Sequence, residues 1–404
     1  MTYRLSRRGF LGSATALAAP LFVPGAALGL DGATPANDRI TMGLIGAGGQ
    51  GTGDMNGFLG FPEVKVMAVC DPVEEHRANA KRVVDSRYKN NDCVAYNDFR
   101  ELLSRSDIDT VLCGTPDHWH ALVTIAACRS GKDVYCEKPE SLTIREGRAM
   151  VDAARRYGRV VSGGSQRVMD DYGPRARAIR SGAVGQVKQA FVDCGGPSED
   201  GYYTPEPMPQ GVDWNLWLGP APYRPFADHL IHGGFRQYRD FSGGGMTDWG
   251  AHNFGGTLFA LDLQHTGPAE IIPPDGKDVK YLTYKYPGGL EIYHGGSTSG
   301  MITFKGTEGT FPGPHSGPDK GAILPGYKGR GGIFGDFLHC VRTRERPFRD
   351  IELAHRCVSV CHLGNIAYWL KRPLRWDPVK EAFIGDDEAN RWLDRPKRDP
   401  WSLG

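Results

Sequence analysis

A glycine-rich turn followed at fixed spacing by an acid is the first group of residues that could do chemistry. Gly46-Ala47-Gly48-Gly49-Gln50-Gly51 comes directly after the apolar run 40–45, and a second strand-like run, 64–69, leads to Asp71. The first glycine permits a tight turn, the second lets the backbone approach a pyrophosphate, and the last lets a helix pack close to the sheet. The pattern predicts a dinucleotide site in which Gly46, Gly48, Gly49, Gln50 and Gly51 are the cofactor-binding residues of the loop and the pyrophosphate lies on the free N–H groups at the helix start.

Asp71 indicates which dinucleotide is bound. A carboxylate at the end of the second strand can accept hydrogen bonds from the adenosine ribose hydroxyls, and it repels a phosphate at the 2′ position. NAD is therefore expected rather than NADP. Because Gly-rich turns without a ligand are common, the prediction depends on the whole order of strand, turn, helix, strand and acid.

Lys138, Asp248 and His252 are the candidates for proton transfer. Oxidation of an alcohol carbon requires loss of the hydroxyl proton, so the site needs a base and a cation beside the developing alkoxide. Lys138 lies at a strand end before Pro139, while Asp248 and His252 lie four residues apart on one predicted helix and so share a face. A solvated surface lysine and an ordinary i,i+4 ion pair are the alternatives that spacing alone leaves open.

Alternating strands and helices must position these residues. The predicted strands are 40–46, 64–71, 108–114, 134–137 and 159–163. The predicted helices are 49–59, 74–88, 97–105, 118–130 and 143–157. This alternation predicts an α/β fold with a parallel, doubly wound Rossmann sheet, and ligands of such sheets bind at the carboxyl ends of the strands.

Three polar loops are expected at that edge, facing the nicotinamide end of the cofactor. They are Thr115 to His120, Glu137-Lys138-Pro139 and Gly164 to Arg167. The cofactor contacts predicted from these loops are Thr115, Pro116, His120, Glu137, Lys138 and Gln166.

Beyond residue 166 the pattern becomes α+β. The predicted elements are helices 173–181, 246–261, 333–343 and 351–370, a strand at 186–192, and antiparallel strands around 268–272, 279–286, 290–295 and 299–305. The predicted organisation is a Rossmann domain at 38–166, a C-terminal α+β domain at 167–375 with a large, mostly antiparallel open sheet, and a tail at 376–404 that packs back on the fold.

A long irregular segment, 195–243, is rich in glycine, proline and aromatic residues and is expected to be an insertion that contacts the substrate. Aromatic rings suit the C–H faces of sugars. The candidate substrate residues are His232, Arg236 and Tyr238 in the insertion and Trp249 just beyond it. For the three in the insertion, simple anchoring of the loop is an equal alternative, and for Trp214 and Trp217 anchoring is favoured.

The first residues resemble a twin-arginine export signal. Ser6-Arg7-Arg8-Gly9-Phe10-Leu11 precedes a weakly apolar run, 17–30, that ends in small residues. Residues 1–33 are therefore expected to be a signal peptide, recognised by the twin-arginine machinery, that sends the folded protein to the periplasm with no stable membrane insertion after cleavage. A chance arginine pair at a flexible terminus is the alternative.

Composition excludes several classes of function. The chain has 404 residues and a net charge of +1, so no basic surface indicates nucleic-acid binding. Nine cysteines in a chain of this length do not form a disulfide framework. Cys357 and Cys361 lie one helical turn apart in an apolar pattern, which favours core packing over a metal site, and no metal is predicted.

Taken together, these motifs resemble the glucose–fructose oxidoreductase / inositol dehydrogenase / rhizopine catabolism (Gfo/Idh/MocA) family. The motifs are the glycine loop, Thr115-Pro116 with His120, Glu137-Lys138-Pro139, and Asp248 with His252. The resemblance implies a Rossmann domain, a C-terminal sheet that often forms an oligomer surface, and a catalytic group of Lys138, Asp248 and His252 with His252 as the proton acceptor. Glu140 departs from the family pattern, in which an apolar residue follows the triplet, and it adds an acid beside the site.

The expected function is oxidation or reduction of a sugar, glycoside or polyol with a tightly bound NAD, in a homodimer or homotetramer. Two alternatives remain open at this point. The same site could cleave a glycoside through transient oxidation and elimination, or the protein could be an exported sugar-binding protein that has kept the fold without the activity.

Overall fold

The computed structural model describes residues 34–168, 170–298, 300–311 and 331–403. The predicted export signal, residues 1–33, lies outside the described residues. Within those ranges, no helix combines the length and the apolar character needed to cross a membrane.

A six-stranded parallel sheet forms the first half of the molecule, as the alternating pattern predicts. Its strands run in the order β3-β2-β1-β4-β5-β6. They are β1 Ile40–Ile45, β2 Val64–Cys70, β3 Val94–Tyr96, β4 Thr110–Cys113, β5 Asp133–Cys136 and β6 Val161–Gly163. The helices between them are α1 Gly49–Phe58, α2 Glu74–Tyr88, α3 Phe99–Leu103, α4 Asp117–Arg129 and α5 Ile144–Arg156. Central strands β4 and β5 are buried throughout because helices cover both faces of the sheet.

An eight-stranded sheet forms the second half, in the order β12-β11-β7-β10-β9-β8-β13-β14. Its strands are β7 Val187–Val192, β8 Glu270–Ile272, β9 Leu282–Lys285, β10 Glu291–His294, β11 Ile302–Gly306, β12 Gly309–Phe311, β13 Leu374–Asp377 and β14 Ala382–Phe383. All neighbours pair antiparallel except β7 and β10, which are parallel. The expected mostly antiparallel sheet is therefore confirmed.

Helices complete the second half and cover the sheet. They are α6 Gly173–Arg180, α7 Trp214–Leu218, α8 Asp228–Ile231, α9 Gly245–Asp248, α10 Gly250–Ala260, α11 Gly332–Thr343, α12 Ile351–Leu370 and α13 Asp387–Arg391. Short 3₁₀ turns occur at Ala36–Asp38, Gln166–Val168 and Gly234–Gln237. Asp350 precedes the long helix α12, and its carboxylate accepts a hydrogen bond from the backbone N–H of Glu352 and caps the first turn.

The single helix predicted at 246–261 is wrong, because the chain forms two helices separated at Trp249. The N–H of Trp249 donates to the Gly245 carbonyl, and the N–H groups of His252 and Asn253 both donate to the Trp249 carbonyl. Close packing accounts for glycine at the junction, since a Cβ at Gly250 would lie 2.9 Å from the Cys361 sulfur. Asp248 therefore ends α9, while His252 lies in the first turn of α10.

The insertion has its own small aromatic core. Trp214 and Trp217 stack at 4.6 Å between ring centroids, and Phe226 and Phe241 pack edge-on against them. The carbonyl of Trp217 accepts a hydrogen bond from the Trp119 indole N–H, which joins this core to α4. The two tryptophans therefore anchor the insertion.

The last residues of the chain return to the first half of the molecule. The Arg398 side chain donates to the carbonyl oxygens of Asn215 and Gly219. Trp401 packs edge-on against Trp119 with 4.7 Å between ring centroids, and the Leu403 carbonyl accepts from Arg129. This tail joins the insertion to the face of the parallel sheet.

Candidate active site

The glycine loop is shaped for a backbone-bound anion. Gly46 has a φ of +88°, in the left-handed region that favours glycine, and it turns the chain out of β1. A Cβ at Gly51 would lie 2.0 Å from the Gly46 carbonyl oxygen, so α1 packs against the strand at a distance that only glycine allows. A Cβ at Gly48 or Gly49 would meet nothing within 4 Å. With no capping side chain at its start, α1 leaves its first amide groups available to a ligand.

A cavity of about 400 Å³ extends from this loop to Lys138. Its walls come from the glycine loop, the ends of β2, β4 and β5, and the insertion. Of the residues predicted to contact cofactor or substrate, the cavity is lined by Gly46, Gly48, Gly49, Gln50, Asp71, Thr115, Pro116, Glu137, Lys138, His232 and Arg236. Residues from widely separated parts of the sequence thus meet in one space that is large enough for small molecules.

Asp71 borders the cavity and also holds the glycine loop in place. One carboxylate oxygen accepts from the N–H of Ala47 at 2.7 Å, and the other accepts from the N–H of Val73 at 2.8 Å. His76, which also lines the cavity, lies 3.5 Å from this carboxylate. Burial alone would lower the pKa of His76, but the hydrogen bond and charge of Asp71 raise it. A negative charge is therefore fixed at the end of β2, where the sequence places it.

Lys138 and Asp248 form an ion pair at the far end of the cavity. The Lys138 Nζ lies 2.6 Å from the Asp248 Oδ1, and the Arg236 Nε lies 3.3 Å from the same oxygen. Burial alone would raise the pKa of Asp248, but the charges of Lys138 and Arg236 lower it. Asp248 is thus an ionised carboxylate that holds the lysine ammonium at the cavity wall.

His252 lies beside this pair and is neutral at neutral pH. Burial, followed by the positive charges of Lys138 and Arg167, lowers its pKa to about 3, against the opposing effect of Asp248. Its Nδ1 is buried and has no hydrogen-bond partner among the residues described. A neutral imidazole can accept a proton, and the effect of the Lys138 charge on its pKa is consistent with the two groups acting in one site.

Three predicted cofactor contacts lie outside the cavity wall: Gly51, whose role is the close packing of α1, His120 and Gln166. His120 is buried, and its ring nitrogens lie 2.7 Å from the Pro139 carbonyl oxygen and 2.8 Å from that of Thr115. Through these two contacts His120 holds the turn that carries Lys138 in place. Gln166 is half-buried in a 3₁₀ turn, and its Oε1 is buried without a partner in the described ranges.

The four candidate substrate residues separate into two groups. His232 and Arg236 line the cavity. Tyr238 is buried in the insertion's aromatic core, where its hydroxyl lies 3.1 Å from His229 Nε2, and it packs edge-on against Tyr203. Trp249 is 43% exposed next to His252, with the Arg167 guanidinium over its ring.

Glu140 is paired electrostatically with a residue that sequence reasoning did not single out. Its carboxyl is buried, and neither oxygen has a hydrogen-bond partner among the described residues. Burial raises its pKa, and the charge of Arg349 is the largest opposing effect. Arg349 is also buried, and its three guanidinium nitrogens have no hydrogen-bond partner among the described residues. The departure at Glu140 thus places a buried carboxyl group near the Arg349 guanidinium, next to the turn that carries Lys138.

Other residues that sequence reasoning missed are Asp54, Asp117, Arg167 and Ser242. Asp117 lines the cavity at the start of α4, and the Ser242 hydroxyl donates to it at 2.6 Å, which fixes the end of the insertion. Arg167 was noted only as part of a loop. No local motif identifies these residues, because each depends on a partner that is distant in sequence.

Comparison with known proteins identifies the family. Residues 40–165 match the description "Oxidoreductase family, NAD-binding Rossmann fold" of Gfo/Idh/MocA proteins, and residues 198–403 match "Oxidoreductase family, C-terminal alpha/beta domain". The chain belongs to the Gfo/Idh/MocA oxidoreductase family. Its first half is therefore an NAD-binding Rossmann fold.

One curated relative of this chain is named as a glycosyl hydrolase. The chain is 31% identical over 177 residues to a protein of Shewanella sp. (strain MR-4) named glycosyl hydrolase family 109 protein 1, an overlap that covers 38% of each sequence. The chain thus spans under two-fifths of the length of the curated relatives it matches.

Two solved structures show the same fold at low sequence identity. An NAD-binding protein from Listeria innocua is 19% identical, with a TM-score of 0.60 over 83% of this chain and 97% of that one. An aldose-aldose oxidoreductase from Caulobacter crescentus, complexed with glycerol, is 19% identical, with a TM-score of 0.57 over 83% of this chain and 99% of that one.

The residues of this Gfo/Idh/MocA protein fit a nicotinamide dinucleotide. The space above Gly48 and Gly49 is open, the first turn of α1 is uncapped, and Asp71 lies at the end of β2. The pyrophosphate would be held by Gly48, Gly49 and Gln50. When bound, the nicotinamide supplies a hydride acceptor or donor.

Proposed function

We propose that this chain is a periplasmic NAD-dependent oxidoreductase that acts on a hydroxyl carbon of a sugar, glycoside or related polyol. The observation that carries the proposal is one cavity lined by both the glycine loop and Lys138, with Asp248 2.6 Å from the lysine and His252 beside them. The aldose and glycosyl substrates in the names of similar proteins support a carbohydrate substrate.

The proposed roles of the three residues follow from their charges. The Lys138 ammonium stabilises negative charge that develops on the substrate oxygen. Asp248 holds Lys138 in position. His252, neutral and buried, accepts the hydroxyl proton during oxidation and returns it during reduction. His232 and Arg236, at the insertion side of the cavity, are placed to donate hydrogen bonds to other hydroxyl groups of the substrate.

NAD is proposed over NADP because Asp71 is buried at the cavity edge, where its charge disfavours a 2′-phosphate.

Export is proposed from the sequence of residues 6–30, and twin-arginine export suits a protein that takes up its cofactor before leaving the cytoplasm. A free nicotinamide pool is not expected outside the cytoplasm, so the cofactor should stay bound and be recycled by a second carbonyl substrate or by the reverse half-reaction.

Purified protein from the periplasmic fraction is expected to contain NAD. A denatured extract should yield close to stoichiometric NAD and little NADP. If the substrate sugar is added before denaturation, the bound NAD should be reduced to NADH, which is measured by the absorbance of the reduced ring. A variant with Arg7→Lys and Arg8→Lys is the control and should remain in the cytoplasm. Well-folded protein that neither contains nor binds nicotinamide would remove the proposal.

Replacement of His252 with asparagine is expected to lower kcat by about 10²- to 10⁴-fold, because the proton acceptor is lost, while the nicotinamide content is retained. His362→Asn is a matched control: His362 is also buried with a pKa lowered by burial to about 4, but it contacts the Ser141 carbonyl away from the cavity.

The pH profile gives an independent check on His252. Since its folded pKa is about 3, its protonation should not reduce the wild-type rate until the pH falls toward that value. A wild-type acid limb centred near pH 6.5 that disappears in the asparagine variant would contradict the buried, neutral state described above.

A second candidate function is cleavage of a glycoside with no net change in NAD. The name of the Shewanella relative favours it. In this reaction transient oxidation acidifies a neighbouring C–H bond, elimination breaks the glycosidic bond and reduction restores the cofactor. Turnover of a glycoside without accumulation of NADH would favour this function over a dehydrogenase.

The open face of the eight-stranded sheet is the proposed surface for a homodimer or homotetramer. On it Phe191 and Tyr293 stack at 4.9 Å between centroids, and the Lys305 ammonium lies over the Phe191 ring. A monomeric mass by light scattering would exclude this assembly.

A further inference from the structure

Two buried carboxyl groups that the proposed mechanism does not use meet between α1 and the end of β5. Asp54 lies in α1, one turn after Gln50, and Glu137 precedes Lys138; both are buried. Their carboxyl groups lie within hydrogen-bonding reach of each other. Gln50, Glu137 and Lys138 all line the cavity, so a proton or a charge on these two carboxyl groups lies at the cavity wall.

Each carboxyl has one oxygen with a donor and one without. Gln50 Nε2 donates to Asp54 Oδ1 at 3.1 Å, and the backbone N–H of Lys138 donates to Glu137 Oε2 at 3.2 Å. The remaining oxygens, Asp54 Oδ2 and Glu137 Oε1, are buried and receive no hydrogen bond from the residues described.

Ionised carboxylates only accept hydrogen bonds, so two of them cannot satisfy each other. One proton held between the two carboxyl groups supplies the donor that the pair lacks and removes the repulsion of two like charges. Burial, the largest effect, raises the pKa of Asp54 to about 6, and burial together with the charge of Asp54 raises that of Glu137 well above its usual range.

The groups that face this pair do not supply the missing hydrogen bonds. The Lys138 ammonium favours the ionised forms, while Glu140 opposes ionisation of Glu137. The Tyr135 hydroxyl is close enough for its own pKa to be raised by both acids, burial being the larger cause, but it has no hydrogen-bond partner in the described part of the chain. Gly164 packs so tightly against the pair that a Cβ there would lie 2.5 Å from Glu137 Oε1.

We propose that Asp54 and Glu137 share a single proton, and that this acidic pair keeps one negative charge at the cavity wall next to Lys138. The pair also joins the first helix after the glycine loop to the turn that carries the catalytic lysine. It is a positioning element, because it acts through Lys138 and through its charge.

A consequence, which rests on the proposed cofactor, concerns the redox state of the nicotinamide. The oxidised ring carries a positive charge and the reduced ring is neutral. A fixed negative charge at the cavity wall therefore favours the oxidised ring over the reduced one. This preference suits a protein that must retain its cofactor between half-reactions.

Infrared spectroscopy tests the shared proton without any substrate. The holoprotein at neutral pH should show a carbonyl-stretching band of a protonated carboxylic acid that shifts in D₂O. The band should be lost in Asp54→Asn and equally in Glu137→Gln, because the new amide N–H replaces the shared proton and the remaining acid ionises. Other buried acids such as Glu140, whose pKa is also raised by burial, can add bands that both variants keep. The decisive measurement is therefore the difference spectrum between the wild type and Asp54→Asn, and the absence of a lost band in it would overturn the shared proton.

Nucleotide exchange tests the charge. Holoprotein is equilibrated with known mixtures of NAD⁺ and NADH, and the bound ratio is measured after extraction. Each single variant keeps one negative charge and should retain the wild-type preference within about twofold, whereas Asp54→Asn/Glu137→Gln loses the charge and should shift it toward NADH about tenfold. An unchanged ratio in the folded double variant would overturn the charge effect. Failure to bind either nucleotide would instead reject the proposed function, and the infrared result would still decide the shared proton.

Discussion

Replacing Lys138 with methionine is expected to lower kcat by about 10³-fold while the protein still folds and retains its nicotinamide. Methionine keeps much of the length and apolar volume of the lysine side chain but removes the cation 2.6 Å from Asp248. Arg236, at 3.3 Å, remains as the nearest described cation to that carboxylate, so Asp248 stays charged but no longer holds a group at the substrate oxygen. Steady-state kinetics with the sugar that reduces the bound cofactor measures the effect.

Lys397→Met is the matched control for this prediction. Lys397 is also largely buried in ion pairs, with Asp394 at 2.7 Å and Glu146 at 3.4 Å, but it lies in the tail rather than at the cavity. Its replacement is expected to lower the melting temperature and to leave kcat within a few-fold of the wild-type value. Equal kinetic losses in the two variants would show that Lys138 acts through stability, and the mechanism would have to be abandoned.

Gly51→Ala is expected to abolish retention of the cofactor. The added Cβ would lie 2.0 Å from the Gly46 carbonyl oxygen, a backbone atom that cannot rotate away. Helix α1 must therefore move, and a displacement on the order of 1 Å at the amide groups of the loop should weaken nucleotide binding on the order of 100-fold. Analysis of nicotinamide in a denatured extract measures the loss.

Gly53→Ala, two residues further along the same helix, isolates the steric effect. A Cβ at Gly53 meets nothing within 4 Å, so this variant gains the same helix propensity without the clash. It should retain its nicotinamide and be more stable by about 0.5–1 kcal/mol. If the two variants contain the same amount of nicotinamide, the glycine loop is not where the dinucleotide binds.

Regular periodicity in the sequence accounts for most of the fold. Long helices, such as α2 at 74–88 and α12 at 351–370, begin and end where the sequence predicts. The short strands β3, β12, β13 and β14 were not predicted, because two to four residues provide too little pattern to distinguish a strand from a loop.

The same reasoning explains which site residues the sequence could indicate. The glycine loop and Lys138 stand next to strand ends, so their place at the ligand edge follows from the order of elements alone. His120 stands at the same edge, yet its side chain turns inward to two carbonyl groups, and sequence order does not encode that rotation. Arg349 and Asp54 have no motif at all, since their importance comes only from the charges they meet after folding.

The tail that braces the parallel sheet also affects how the protein is made. Trp401 completes a ring cluster with Phe99 and Trp119, and Arg398 holds the insertion beside it. The ribosome synthesises this segment after every element that it secures. The nucleotide-binding half therefore cannot reach its final packing before the tail that contains Arg398 and Trp401 has been synthesised.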